Sequence, residues 1–315
     1  MDLNLFERHL TELKGMKPKS CKLYLDVVTE FFHYRRQASQ DGPVSKITGQ
    51  NVSDYLQWNK NAGNGNQRRR FKLCALSAFF RFLIHSRIIE NDPTAGIVRP
   101  EPRNDILHSF TRAEVLQLFN AIDTTTEKGI RDSVFLILGV FAGLRVKEII
   151  DINSAQIMDD GNSVSLNIVK NKKGGNRIIV LWNAPSAIIR SLLSARMAKG
   201  CKKGDPLLVS YNKSGKPRGN RRLTIKALNN LLVNLASRAG IQKPVISTHL
   251  LRTTHVRDLQ CISGYDMPEI MKRMGFYYFD SVARYFLQHN PIAQKFESLS
   301  DYWMDFDSVY TARRR

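Results

Sequence analysis

Residues 247–286 read STHLLRTTHVRDLQCISGYDMPEIMKRMGFYYFDSVARYF, and the spacing inside this stretch decides how the rest of the chain is read. His249 and Arg252 are three residues apart and therefore share one face of the helix predicted over 249–259. A further helix is predicted over 267–274, and Tyr285 falls in another over 279–287. A histidine that moves a proton, an arginine that grips an anion and a phenol that attacks are the parts needed to cut a phosphodiester without a metal ion.

Working outward, residues 133–143 (SVFLILGVFAG) are almost wholly apolar and predict a buried helix, which runs directly into Leu144-Arg145-Val146-Lys147-Glu148. An arginine delivered at the end of a buried segment is positioned by packing rather than free in water. From Ser163 the period changes to two. Val164, Leu166 and Ile168 alternate, the basic turn Lys170-Asn171-Lys172-Lys173-Gly174-Gly175-Asn176 follows, and Arg177 leads into Ile178, Ile179, Val180 and Leu181, a β-hairpin with a basic tip. Helices are predicted again over 186–198 and 223–239, separated by a loop GKPRGNRR at 215–222 that carries Arg221 and Arg222.

The N-terminal part is read as all helix. Residues 3–15 place Leu3, Phe6, Leu10 and Leu13 at helical spacing and end at Gly15, a second helix begins at Pro18, a third begins near Thr48 or Asn51, and a fourth runs from about Gln67 to His85. The first turn of the fourth is Arg68-Arg69-Arg70, after a Gly/Asn loop, where contact with nucleic-acid phosphates competes with a plain solvated face. The pattern predicts a helical domain over 1–98, a Pro-containing linker over 99–108, and a second domain from 109 to 315 that opens on the capping box Thr111-Arg112-Ala113-Glu114.

The composition selects the partner. A formal net charge of +20 and a pI near 10.0 exceed what solubility requires and point to a polyanion. Residues 1–100 carry sixteen Lys and Arg against nine Asp and Glu, so both parts of the chain are basic, as a clamp around double-stranded DNA requires. No window is long and apolar enough for a membrane span, the N-terminus MDLNLFERHL is not a secretion signal, and Cys21, Cys74, Cys201 and Cys261 show no paired spacing. Neither a metal, a cofactor nor a disulfide framework is expected, and the cytoplasm is the expected compartment.

Taken together, AGLRVKEI at 142–149, the basic hairpin ending in Arg177, HLLR at 249–252 and the tyrosine nine residues after Phe276 resemble the tyrosine recombinases of the phage integrase family. The resemblance covers nearly the whole chain. It implies a mainly α fold in which an N-terminal helical, SAM-like core-binding domain and a mixed α/β catalytic domain with a small antiparallel sheet form a C-shaped DNA clamp. It implies a site-specific recombinase that works through a 3′-phosphotyrosyl intermediate. Its partners are a double-stranded recombination site and further protomers, four on two sites, or a related recombinase. The short N-terminal part suggests a simple Xer-type, integron-type or transposon-type member.

The resemblance also assigns roles. Arg145 and Arg252 are the two arginines that hold one phosphate, Glu148 orients Arg145, and His249 exchanges a proton with the nucleophile, Tyr285, or acts through the same phosphate. Lys172 is the general acid for the departing 5′ oxygen when Arg177 is aligned with the arginine that follows this turn in the family, with Lys170 and Lys173 as alternatives. Arg68, Arg69, Arg70, Lys173, Arg177, Arg221 and Arg222 are expected to touch DNA. Phe276 departs from the pattern, because the family commonly has His or Trp there, both with an N–H donor that Phe lacks. Met274, Ser281 and Val282 are milder departures. The C-terminal residues Ile292, Phe296, Leu299, Trp303 and Phe306 predict a short amphipathic tail helix. Two rival readings are a type IB topoisomerase and a DNA-binding protein that has lost cleavage.

Overall fold

The computed structural model describes residues 3–101, 108–169, 176–212, 214–261, 265–276, 278, 279, 282, 283 and 285. The chain divides into two compact units, Met1–Asp105 and Ile106–Arg315. Most of the linker expected over 99–108, and all of the predicted tail helix, lie outside the described residues.

The first unit is helical. It comprises α1 (Leu3–Arg8), continued by one wide π-type turn over His9–Leu13, then α2 (Pro18–Gln37), α3 (Gly49–Asn61) and α4 (Asn66–His85). Pro18 sits in the first turn of α2, where the missing N–H is harmless, and Thr48 and Asn51 cap α3 reciprocally. The apolar stripes meet in a core of Phe6, Phe31, Tyr55, Phe79, Phe80 and Leu83, with edge-to-face rings such as Phe31 and Tyr55 at 5.2 Å. Among the described residues of this unit two cations are buried, Arg35 and Lys72. Lys72 of α4 is buried, and its ammonium donates to Glu30 and Asn59 and lies 5.6 Å from the Tyr55 ring centroid. Paired on all these sides, the charge is tolerated where an isolated ammonium is not.

The second unit opens with α5 (Arg112–Asn120), whose expected capping box is formed: Glu114 N–H donates to Thr111 Oγ1 at 3.2 Å and Thr111 N–H to the Glu114 carboxylate at 2.6 Å. Helix α6 (Glu127–Val140) is the central element and starts earlier than the apolar run suggests. Thr126 caps it, and its polar first turns are accommodated in the interior by specific partners, as where Arg131 Nη1 donates to Val209 O at 3.0 Å. Then come α7 (Val146–Asp151), the strands β1 (Ile157–Asp159), β2 (Ser163–Ile168) and β3 (Arg177–Trp182), and α8 (Asn183–Met197). The expected hairpin is β2–β3, antiparallel with Val164 opposite Leu181 and Ile168 opposite Arg177, and β1 pairs with the other side of β2. This register buries Val164, Leu166, Ile168 and Leu181.

Strands β4 (Val209–Tyr211) and β5 (Pro217–Arg222) form a second antiparallel pair. This corrects the loop expected at 215–222, whose row of exposed polar residues lacks the apolar alternation that signals a strand. Helices α9 (Ile225–Arg238), α10 (Thr248–Cys261) and α11 (Met267–Met274) complete the unit, and Val282, Ala283 and Tyr285 have helical backbone. Helix α10 packs closely on α6, since a Cβ added at Gly139 comes within 2.7 Å of Leu251. Thr254 Oγ1 accepts the Phe110 N–H at 2.9 Å, which ties α10 to the start of the unit.

Candidate active site

Helix α6 ends at Val140, and the chain turns back through Gly143 at φ +58° before Leu144 is buried. The Leu144 N–H donates to Leu138 O at 2.9 Å, and Arg145 becomes the N-cap of α7. Here Glu148 closes the turn, accepting the Arg145 N–H at 2.8 Å and its Nη1 at 3.3 Å. Arg145 Nη2 donates to Gly275 O at 3.2 Å. A Cβ at Gly143 lies 2.4 Å from His255 Cδ2 and 3.0 Å from Met274 Cε, in a backbone conformation L side chains resist. Gly143→Ala is therefore expected to destabilise the second unit by about 2 kcal/mol or more, measured as a lower denaturant midpoint.

Arg252, on α10, is 2% exposed. Its Nη1 donates to Gly143 O at 2.6 Å and its Nη2 to Met274 O at 2.8 Å. Burial and the nearby Arg145 push its pKa down to about 9, so it stays charged at pH 7.

Arg177, at the start of β3, places Nη1 3.0 Å from Glu148 Oε1 and Nη2 2.8 Å from Oε2, a two-pronged pair with its side chain 9% exposed. Arg177 is among the residues expected to touch DNA; in the DNA-free protein its terminal nitrogens are turned toward Glu148, which it braces. Burial alone raises the Glu148 pKa, but the hydrogen bonds and charge of Arg177, with the N–H and charge of Arg145, outweigh it and the net shift is downward. Two guanidiniums thus share one carboxylate. Glu148→Gln keeps the shape but leaves Arg177 without a counter-charge, and the expected destabilisation is about 3 kcal/mol, read as a lower melting temperature of the full chain. Because the Glu148 pKa is depressed on folding, its contribution is present above the ordinary carboxylate range and is lost as pH falls through the folded-state value.

Tyr285 is 5% exposed and packs with Val256, Leu259, Ile270, Met274 and Val282 in a small separate core. Its hydroxyl is 3.4 Å from Nε2 of the exposed His249 on α10. Phe276 lies between the groups, its ring centroid 4.7 Å from Arg252 Cζ, 5.5 Å from Arg145 Cζ and 5.9 Å from the Tyr285 centroid. His255, read from sequence as helix packing, has Nδ1 2.8 Å from Val140 O, and burial pushes its pKa down to about 4, so it is neutral at pH 7. The structure therefore brings together Arg145, Glu148, Arg177, His249, Arg252, Phe276 and Tyr285. The carbonyls of Gly143, Met274 and Gly275 complete the setting; only the glycines hinted at them in the sequence, because a carbonyl carries no residue code.

Lys170, Lys172 and Lys173 lie outside the described residues. Arg221 is exposed on β5, whereas Arg222 is tied internally, donating to Ile150 O at 2.8 Å and to Asn153 Oδ1. In the first unit Arg68 is exposed in the first turn of α4, and Arg69 donates to Asn66 Oδ1 at 2.6 Å. Among the described residues no cluster of His, Cys, Asp and Glu is arranged to hold a metal ion, and no helix is long and apolar enough to cross a membrane.

Comparison with known proteins bears on this arrangement. Residues 108–290 match the phage integrase family, and residues 3–87 match the phage integrase N-terminal SAM-like domain. Tyrosine recombinase XerC of Anoxybacillus flavithermus is 26% identical over 286 residues, covering 90% of this chain and 91% of the relative. Tyrosine recombinase XerD of Oceanobacillus iheyensis is 24% identical over 270 residues, covering 83% and 85%. Among solved structures, a lambda integrase dimer bound to a COC′ core site superposes with a TM-score of 0.72 at 16% identity, covering 94% of this chain and 97% of that one. The Tn1549 transposon integrase in complex with circular intermediate DNA gives 0.64 at 13%, covering 99% and 98%. At these identities the structural likeness establishes the fold, mostly helical with small antiparallel sheets.

Proposed function

The chain belongs to the phage integrase family, and from that membership and the geometry of the site we infer that it is a tyrosine-type site-specific recombinase acting on double-stranded DNA. The observation that carries the reading is the Tyr285 hydroxyl 3.4 Å from His249 Nε2, beside two guanidiniums that share the Phe276 ring.

Arg145 and Arg252 hold the non-bridging oxygens of one phosphate and stabilise the charge that builds on them as the phosphorus becomes pentavalent. The Tyr285 oxygen attacks the phosphorus, its proton passing to His249, and the bond to the 5′ oxygen breaks. Lys172 protonates that oxygen, with Lys170 and Lys173 as alternatives. The product is a 3′-phosphotyrosyl link and a free 5′ hydroxyl. The link keeps the energy of the broken bond, so a second 5′ hydroxyl joins by the reverse step. Arg68, Arg70 and Arg221 contribute sequence-independent contacts to the backbone. Four protomers on two sites, in the cytoplasm, form the working assembly.

The test uses the DNA flanking the coding sequence as the candidate site. A duplex nicked a few nucleotides on the 3′ side of the cleavage position traps the covalent state, because the short released fragment that carries the free 5′ hydroxyl diffuses away. An SDS-resistant adduct, and recombinant product from a plasmid carrying two such sites, support the reading. Relaxation of supercoiled plasmids lacking the site, as efficient as with the site, would instead indicate a topoisomerase.

A further inference from the structure

The last residue of α11 and the two that follow it touch both phosphate-gripping arginines in succession. Met274 O accepts from Arg252, Gly275 O accepts from Arg145, and the Phe276 ring faces both guanidiniums, at 4.7 Å and 5.5 Å. The ring is fixed in place by its own backbone. Gly275 takes the left-handed conformation at φ +62°, and the Phe276 N–H donates to Met271 O at 3.0 Å, closing the end of the helix. Phenylalanine offers no hydrogen bond. What it offers a cation is the negative face of its π system, which acts most strongly where water is excluded, as around Arg252.

We propose that Phe276 is a positioning residue that orients the guanidiniums of Arg252 and Arg145 toward one phosphate through the face of its ring, while its contact with Tyr285 keeps the nucleophile in line with them. This rests on the phosphate-gripping roles given to the two arginines above. The carbonyls of Met274 and Gly275 each fix one edge of a guanidinium, and the ring fixes the plane. Both constraints belong to one rigid turn, so the two forks are set relative to each other before any phosphate arrives. A position that only filled space would need volume and apolarity alone, and the cation–ring geometry would be incidental.

Isosteric fluorination separates these cases. The full chain is prepared with phenylalanine, 4-fluoro-, 3,5-difluoro- or 3,4,5-trifluorophenylalanine at position 276, which drains the ring face in steps at nearly constant size. Two quantities are read: the single-turnover rate of adduct formation on the nicked duplex, and the melting temperature of the DNA-free protein. The expected result is a stepwise fall in both, reaching about three- to thirtyfold in rate at three fluorines. In an Arg252→Met background, which removes the closer cation, the melting series is expected to flatten. A rate that does not change across the series, or a melting series equally steep without Arg252, overturns the proposal. Absence of any adduct from the unsubstituted protein counts against the recombinase reading, and the melting series then still decides whether the ring holds Arg252.

Discussion

Tyr285→Phe is expected to abolish the covalent protein–DNA adduct while leaving folding and DNA binding intact. The substitution removes one oxygen from a ring that stays packed against Val256, Ile270, Met274 and Val282, so the small core that seats it keeps its volume. Nothing else in the described site replaces the lost nucleophile at the same point, because the hydroxyl is the atom that faces His249 at 3.4 Å. Affinity for the duplex is expected to come from the chain's net charge of +20, which the substitution does not change. The checks are an SDS gel on nicked duplex and a mobility shift at matched salt. Loss of the shift along with the adduct would show that Tyr285 acts through folding instead.

Arg252→Lys is expected to lower the cleavage rate by roughly a hundred- to a thousandfold, with a far smaller effect on binding the duplex. The buried guanidinium meets two carbonyls, Gly143 O and Met274 O, and of its five N–H groups still has donors left for a phosphate. An ammonium cannot span both carbonyls and the phosphate at once, since it is a compact point charge with three donors. Whichever partner is dropped, either a buried carbonyl goes unsatisfied or the transition-state charge loses a donor. The stronger effect falls on the rate because the charge on the non-bridging oxygens grows as the phosphorus becomes pentavalent. Single-turnover cleavage at saturating protein measures it. A rate within threefold of the parent would remove Arg252 from the phosphate site.

Much of this was legible in the chain because the signals are local. Thr111 and Glu114 announce a capping box, the alternation around Val164 and Ile179 announces a hairpin, and His249 with Arg252 announces a helix face, each decided within a few residues. The parts that were not legible depend on partners distant in sequence. Arg177 has the composition of a DNA-contacting residue, and only the folded turn of Arg145 and Glu148 draws it inward. Arg222 is captured in the same way by Ile150 O and Asn153. The early start of α6 was hidden because its polar first turns look exposed until Val209 O is found opposite Arg131. Phe276 was legible as a departure, a donor missing where one is usual, but its position over two cations is a fact of tertiary structure. From its neighbours alone Tyr285 reads as a core residue, and only the spacing from Phe276 in the family pattern marks it as the nucleophile; its ring is buried while its hydroxyl lies 3.4 Å from His249.

The polarity of the covalent link tests the central claim most directly. Adduct formed on a nicked duplex from the flanking DNA is digested with protease and nuclease, and the modified peptide is identified by mass spectrometry. The account predicts a nucleotide joined through its 3′ phosphate to Tyr285, with a 5′ hydroxyl on the released strand. A 5′-phosphoryl link, attachment at another residue, or no adduct from protein that binds the duplex would contradict it.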